Sequence, residues 1–177
     1  MKNLLMVLVF LCCQYSWADD SWFEFVQPMD DAIAEQAAWS SPHKAAQASD
    51  LLLGAMYIAP VVAALDDDKI GKRLLALGVA HGASSGLTKL VKVSADRTRP
   101  DRSDTRSFFS GHTSAAFTSA GYLCAMEREL CGAGLIGASL TGYLRVAGNK
   151  HWSSDVLVGA VVGYLSGRNA PIYVMRF

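Results

Sequence analysis

Five stretches without a single Asp, Glu, Lys or Arg, residues 51–65, 74–88, 107–126, 130–144 and 156–166, set the terms on which this chain can fold. They are rich in Ala, Gly and Leu, and short polar links separate them. Most are two or more times the length of an ordinary buried strand, so apolar runs of this size read as helices. Helices that are apolar over most of their surface must pack on one another, which predicts an all-α, single-domain bundle of about six helices. The 177 residues suffice for one domain with a proper core, and an apolar share of 51% excludes disorder.

Breaks and caps divide the chain further. The aromatic cluster Trp22, Phe23 and Phe25 is closed by Pro28, and Asp30-Asp31 then begin a short helix that ends at Trp39-Ser40-Ser41-Pro42. Ser49-Asp50 are good caps for a second helix through 51–65, kinked at Pro60. Asp66-Asp67-Asp68 turn the chain into a third helix reaching Lys92, whose small Gly82-Ala83-Ser84-Ser85-Gly86 segment lets a neighbour approach closely. Residues 95–109 are a polar, basic loop. Helices are expected over 111–127, 131–146 and 153–165, and Ile172-Tyr173-Val174 could pair as a strand.

The first eighteen residues read as an address. Lys2 precedes an apolar run from Leu4 to Cys13, and Ser16-Trp17-Ala18 fits a cleavage site, leaving a domain over 19–177. An uncleaved anchor is the alternative, although ten apolar residues are too few to span a bilayer. Leu11 is too large for the residue before a lipidated cysteine. Export implies a compartment where disulfides persist. Cys124 and Cys131 would stand about 10 Å apart on one straight helix, too far to bond. A turn at Glu127-Arg128-Glu129 would instead let them staple two helices; otherwise they are buried thiols. Most uncharged runs fall short of the ~20 residues a span needs, and 107–126 contains Ser110, His112 and Thr113. These features favour a periplasmic domain lying against a membrane surface.

Formal net charge is zero, so no global field points to a nucleic-acid partner. Charge is nevertheless local. Residues 89–106 carry Lys89, Lys92, Arg97, Arg99, Arg102 and Arg106 against three acids, a patch suited to a small anion. Lys92 and Arg99 flank a loop and can converge on one phosphate. Ser110 and Gly111 open a helix whose free N–H groups attract the same anion, and His112 stands in its first turn. His151 and Asp155 are four residues apart, so on a helix they share a face and can hydrogen-bond. Taken singly, each of these could be a surface cation, an N-cap or a helix salt bridge. His81 reads as a hydrogen-bonded core residue, and no zinc spacing or P-loop occurs.

Three motifs in order, K-x6-RP from Lys92 to Pro100, SGH at Ser110–His112 and R-x5-H-x3-D from Arg145 to Asp155, resemble the phosphatidic acid phosphatase type 2 and vanadium haloperoxidase superfamily. Phe109 stands where that family usually has proline, and Leu144 where it usually has serine. The resemblance implies a metal-independent, cofactor-free phosphatase that hydrolyses a phosphomonoester or diphosphate through a phosphohistidine. His151 would be the nucleophile, Asp155 its orienting carboxylate and His112 the proton donor, with Lys92, Arg99, Ser110, Gly111 and Arg145 holding the phosphate. The expected substrate is a phosphorylated lipid, with small soluble phosphoesters as the alternative. A vanadium-dependent haloperoxidase and a non-catalytic phosphate-headgroup-binding envelope protein are the competing readings. Nothing in the sequence fixes an oligomeric state.

Overall fold

A computed structural model describes residues 21–65 and 67–176; the leader-like stretch 1–18 and its cleavage site lie outside the described residues. Among these residues the chain forms six α-helices and no strand: α1 Ser21–Ala37, α2 Pro42–Val62, α3 Ile70–Ser94, α4 Gly111–Met126, α5 Cys131–Ala147 and α6 Ser153–Val174, with a 3-10 turn at Arg128–Leu130 between α4 and α5. From α2 to α6 successive helices run in alternating directions. One end of the bundle therefore gathers the C-termini of α3 and α5 and the N-termini of α4 and α6. The all-α bundle of about six helices is what the apolar runs require.

Helix ends differ from expectation wherever packing outweighs a local breaker. α1 starts at Ser21 and runs through Pro28. Phe23 and Asp30, seven residues apart on one face, both dock on the bundle and hold that helix together across the proline. α2 begins at Pro42, where a fixed φ suits the first turn, rather than at Ser49. The tail is not a strand: α6 continues through Pro171 to Val174.

The tightest seam joins α4 to α6. Gly159, Gly163 and Gly167, one turn apart, lie against the carbonyls of Ser110, Ser114 and Thr118; a Cβ on Gly163 would meet Ser114 O at 2.0 Å and one on Gly167 would meet Thr118 O at 1.9 Å. The small segment of α3 does not serve this purpose as a whole, because Gly82 and Gly86 face open space. Only its Ser84 is used, hydroxyl to hydroxyl with Ser114 at 2.7 Å. His81, as expected, is bonded inside the bundle, to Ser119 at 3.2 Å. Cys124 and Cys131 are disulfide-bonded around the 3-10 turn.

Three segments, Pro42–Val62, Ile70–Ser94 and Arg128–Ala147, are long and apolar enough to cross a membrane. They exceed the uncharged runs because each takes in a few charged residues, near the ends in Ile70–Ser94 and Arg128–Ala147 and including the more central Asp50 in Pro42–Val62. Large apolar side chains on their outer faces, among them Leu51, Ile58, Leu90, Val93 and Ile136, are exposed. Such a surface fits membrane association.

The seam yields a paired expectation. Gly163→Ala should lower the melting temperature, since it forces backbone apart at a cost of about 1–3 kcal/mol. Gly82→Ala, in the open helix interior, should leave it unchanged or raise it slightly. Thermal unfolding of both variants in detergent checks the contrast, and equal losses would show that the seam is not what limits α4–α6 packing.

Candidate active site

The candidate residues meet at the end of the bundle where α3 and α5 finish and α4 and α6 begin. Loop 95–109 is folded there by its own backbone: Ser107 N–H donates to Arg97 O at 2.9 Å and Arg99 N–H to Asp104 O at 3.0 Å. Lys92, in the last turns of α3, donates its Nζ to Arg106 O at 2.5 Å and reaches Ser107 O at 3.4 Å. Arg99 Nε is paired with Asp104 at 2.7 Å, and its Nη1 reaches Lys150 O at 3.3 Å. Lys150 Nζ in turn pairs with Asp101 at 2.6 Å. These contacts tie the basic loop to the turn that follows α5.

That turn is shaped by Asn149, whose φ of 54° lies in the left-handed region that asparagine tolerates. It brings the backbone N–H groups of Lys150 and His151 onto Arg145 O at 3.0 and 3.3 Å. The five residues between Arg145 and His151 therefore form a closed loop that fixes one side chain relative to the other.

Ser110 is the N-cap of α4, its Oγ accepting from Thr113 N at 3.3 Å while its own N–H donates to Asp155 O at 3.1 Å. The N–H groups of Gly111 and His112, in the first turn, have no partner within the helix. Arg145 is buried and donates to Ser49 Oγ at 3.1 Å and Asp50 Oδ1 at 3.3 Å. His112 Nε2 stands 2.8 Å from the same Asp50 oxygen. One carboxylate, itself more than half exposed at 59%, thus bridges the imidazole of α4 and the guanidinium of α5.

His151 is buried, with Nδ1 3.6 Å from Asp155 Oδ2. That exceeds hydrogen-bond length, and Nδ1 has no other partner among the described residues. A half-ångström approach to this carboxylate would close the bond, as free sites often tighten only on binding. Burial pushes the His151 imidazole below its ordinary value, Asp155 opposes this, and the charges of Lys92 and Arg145 add to the lowering. Burial also lowers His112, helped by Arg145 and Arg99 and opposed by Asp50. The charges of Lys92, Arg99 and Arg145 therefore act on these two rings.

Sequence reasoning missed the support behind Asp155. Arg97 is buried and bridges two buried carboxylates, Asp155 through Nη1 and Asp30 of α1 through Nη2, both at 2.6 Å. Asp155 also accepts from Ser107 Oγ at 2.5 Å and from Trp152 N–H at 3.1 Å. Asp30 accepts from Ser153 Oγ and from Ser154 through N–H at 2.8 Å and Oγ at 2.6 Å. Burial pushes both carboxyls up, but the bonds to Ser153, Ser154 and Arg97 at Asp30, and the contacts with His151, Arg97 and Ser107 at Asp155, outweigh it and hold both below the usual carboxylate range. Arg97 was visible only as one of six bases, and Asp30 as the start of a helix; no spacing relates them. Asp50 was legible only as a cap.

The two departures from the family pattern are both core residues. Phe109 is buried with Val91 and Ala95 beneath Phe23 and Phe108, and Leu144 packs with Ala45 and Ala147. Trp152 holds the loop through an indole bond to Thr98 O at 2.8 Å.

The chain is similar to the lipid A 1-phosphatase of Porphyromonas gingivalis, 40% identical over 106 residues that cover 55% of this chain and 23% of that protein. It therefore spans less than a quarter of that relative's length. Its fold is similar to the crystal structure of the first transmembrane PAP2 type phosphatidylglycerolphosphate phosphatase from Bacillus subtilis, with TM-score 0.69 and 20% identity, covering 98% of this chain and 95% of that one. It is also similar to the crystal structure of LpxE from Aquifex aeolicus, with TM-score 0.54 and 21% identity, over 86% of this chain and 87% of that one. The PAP2 superfamily model matches residues 73–176, which take in every motif residue from Lys92 to Asp155, and the chain belongs to that superfamily.

Proposed function

We propose that the protein is a phosphoric ester hydrolase acting on a phosphomonoester or diphosphate of a lipid, through a phosphohistidine on His151, at the periplasmic face of a membrane. One observation carries this reading. A buried imidazole has its Nδ1 turned to an ionised carboxylate, its Nε2 free, and fixed cations acting on it. Such a ring is neutral and oriented, as a nucleophile must be. The lipid substrate is supported by the apolar outer faces and by the similarity to a lipid A 1-phosphatase. The periplasmic face is supported by the leader-like first eighteen residues.

In this mechanism Lys92, Arg99, Arg145 and the first-turn N–H groups of α4 hold the non-bridging oxygens and stabilise their charge. Nε2 of His151 attacks phosphorus and the P–O bond to the lipid breaks. The departing oxygen takes a proton from His112, while the imidazolium formed at His151 is stabilised by Asp155. Water then attacks the phosphohistidine and gives its proton to His112. The P–N bond breaks, inorganic phosphate leaves, and both histidines regain their starting states. The entering phosphate displaces Asp50 from Arg145.

Phosphate release from a panel of micellar lipid phosphates and water-soluble esters, in detergent with and without EDTA, tests the reading. Activity should favour the lipids and persist in EDTA; equal turnover of soluble esters would remove the lipid assignment. His151→Ala should lower kcat by about 10⁴-fold and His112→Ala by about 10²–10⁴-fold. Wild-type turnover in His151→Ala would overturn the nucleophile.

The pH profile follows from the two rings. Activity requires His151 neutral and His112 protonated. Both are held below the ordinary imidazole value, so kcat/KM should peak on the acidic side of neutrality. Asp50 favours the protonated form of His112, so Asp50→Asn should move the alkaline limb to lower pH. An unmoved limb would mean that Asp50 does not hold that proton.

A further inference from the structure

Helix α1 divides into three sectors at 100° per residue. One faces the bundle and carries Phe23, Val26, Asp30 and Ala37. A second carries Glu24, Asp31 and Glu35, all exposed. The third carries Trp22, Phe25, Met29 and Ile33, exposed by 46, 78, 45 and 38%. Four large apolar side chains in one row, left exposed by the described residues and with acids on a separate sector, are the pattern of a helix lying in a lipid interface.

The same helix supplies Asp30, which is fully buried in the ion pair with Arg97. α1 thus reaches the centre through Asp30, Arg97 and Asp155. Its remaining grip there is aromatic: Phe23 meets Phe108 edge-on at 5.3 Å and lies under the Arg97 guanidinium at 4.7 Å.

We propose that α1 docks on the lipid surface through Trp22, Phe25, Met29 and Ile33, and that this seating holds Asp30 against Arg97, making Asp30 a positioning residue that couples membrane contact to the His151 centre. Lipid is the occupant because α1 packs against α5 and α6, whose outer faces expose Leu140, Tyr143, Leu157 and Val161, and α5 belongs to a segment long and apolar enough to cross a membrane. A second copy would leave that continuity unused. The acidic sector lies well away from the apolar one, so neutral headgroups suffice.

The activity arm of the test rests on the phosphatase reading; the labelling and exchange arms do not. The full chain, with Cys12 and Cys13 changed to serine, is placed in phosphatidylcholine nanodiscs. A nitroxide is attached in turn through Phe25→Cys, Met29→Cys, Asp31→Cys and Glu35→Cys. Positions 25 and 29 should relax with oxygen more than with a water-soluble nickel chelate, and positions 31 and 35 the reverse. Equal access to the chelate at all four overturns docking. Shielding of 25 and 29 from both reagents means that protein, either residues 1–20 or a second copy, covers the stripe, and also overturns it.

For the coupling, Phe25→Glu should increase hydrogen exchange at the N–H groups of Ser154 and Trp152, which are bonded to Asp30 and Asp155. It should also lower kcat about tenfold with KM within twofold. Asp30→Asn should do the same, with Asp30→Glu restoring part of the rate. The double variant should fall no further than either single one, and Glu24→Gln should match wild type. Unchanged exchange and kcat in Phe25→Glu, with 25 and 29 in lipid, would leave a docked helix without coupling and overturn that half. If wild type hydrolyses no ester, the phosphatase reading fails while labelling and exchange still decide this one.

Discussion

A guanidinium shared between two carboxylates, all three out of water, is the constraint on which the site depends. Arg97 alone could not be buried, and neither could Asp30 or Asp155; each would face a desolvation cost of several kcal/mol. Together, with Ser107, Ser153, Ser154 and the Trp152 N–H group completing the donors, each carboxylate is bonded to one terminal nitrogen of the guanidinium and held in place, while Arg97 Nε has no partner among the described residues. Asp155 is then available to His151 as an ionised, oriented acceptor rather than as a carboxyl that burial would protonate. Removing one member leaves the others buried and uncompensated, so the triad behaves as a unit.

The second constraint is backbone proximity. Ser110 and Asp155 can exchange a main-chain bond because α4 and α6 touch along Gly159, Gly163 and Gly167. That contact sets the distance between the helix start that carries His112 and the turn that carries His151. The loop from Arg145 to His151, closed on the Arg145 carbonyl, fixes the third segment. Geometry at the candidate site is thus decided by main chain, with side chains selecting charge.

How much of this was legible in the sequence follows from the same distinction. Lys92, Arg99, Ser110, Gly111, His112, Arg145, His151 and Asp155 fall at spacings set by local turns, and spacing is what a sequence displays. Asp30 and Asp50 reach the site from separate helices by tertiary packing, so no local pattern marks them. Helix boundaries failed for a related reason: Pro28 and Pro171 are breakers by local rule, and α1 and α6 run through them because contacts on both sides hold the turns in register. The glycines of α3 and α6 look alike in the sequence; only packing shows that α6 uses its own.

The disulfide and the active site mark opposite ends of the bundle. Cys124 and Cys131 close the turn between α4 and α5, and Ser110 and Arg145 lie at the other ends of those helices, about 24 Å away along the 16 residues of α4. Disulfides persist where the surroundings are oxidising. A bundle crossing a membrane with one reducing side would therefore keep this bond only with the active site on that reducing side. A site facing the periplasm and an intact bond are compatible in two arrangements: a membrane with oxidising compartments on both sides, or a bundle that enters the lipid from one side without crossing it. The second arrangement suits a helix such as α1, whose apolar row would rest on the same surface from which the active site is reached.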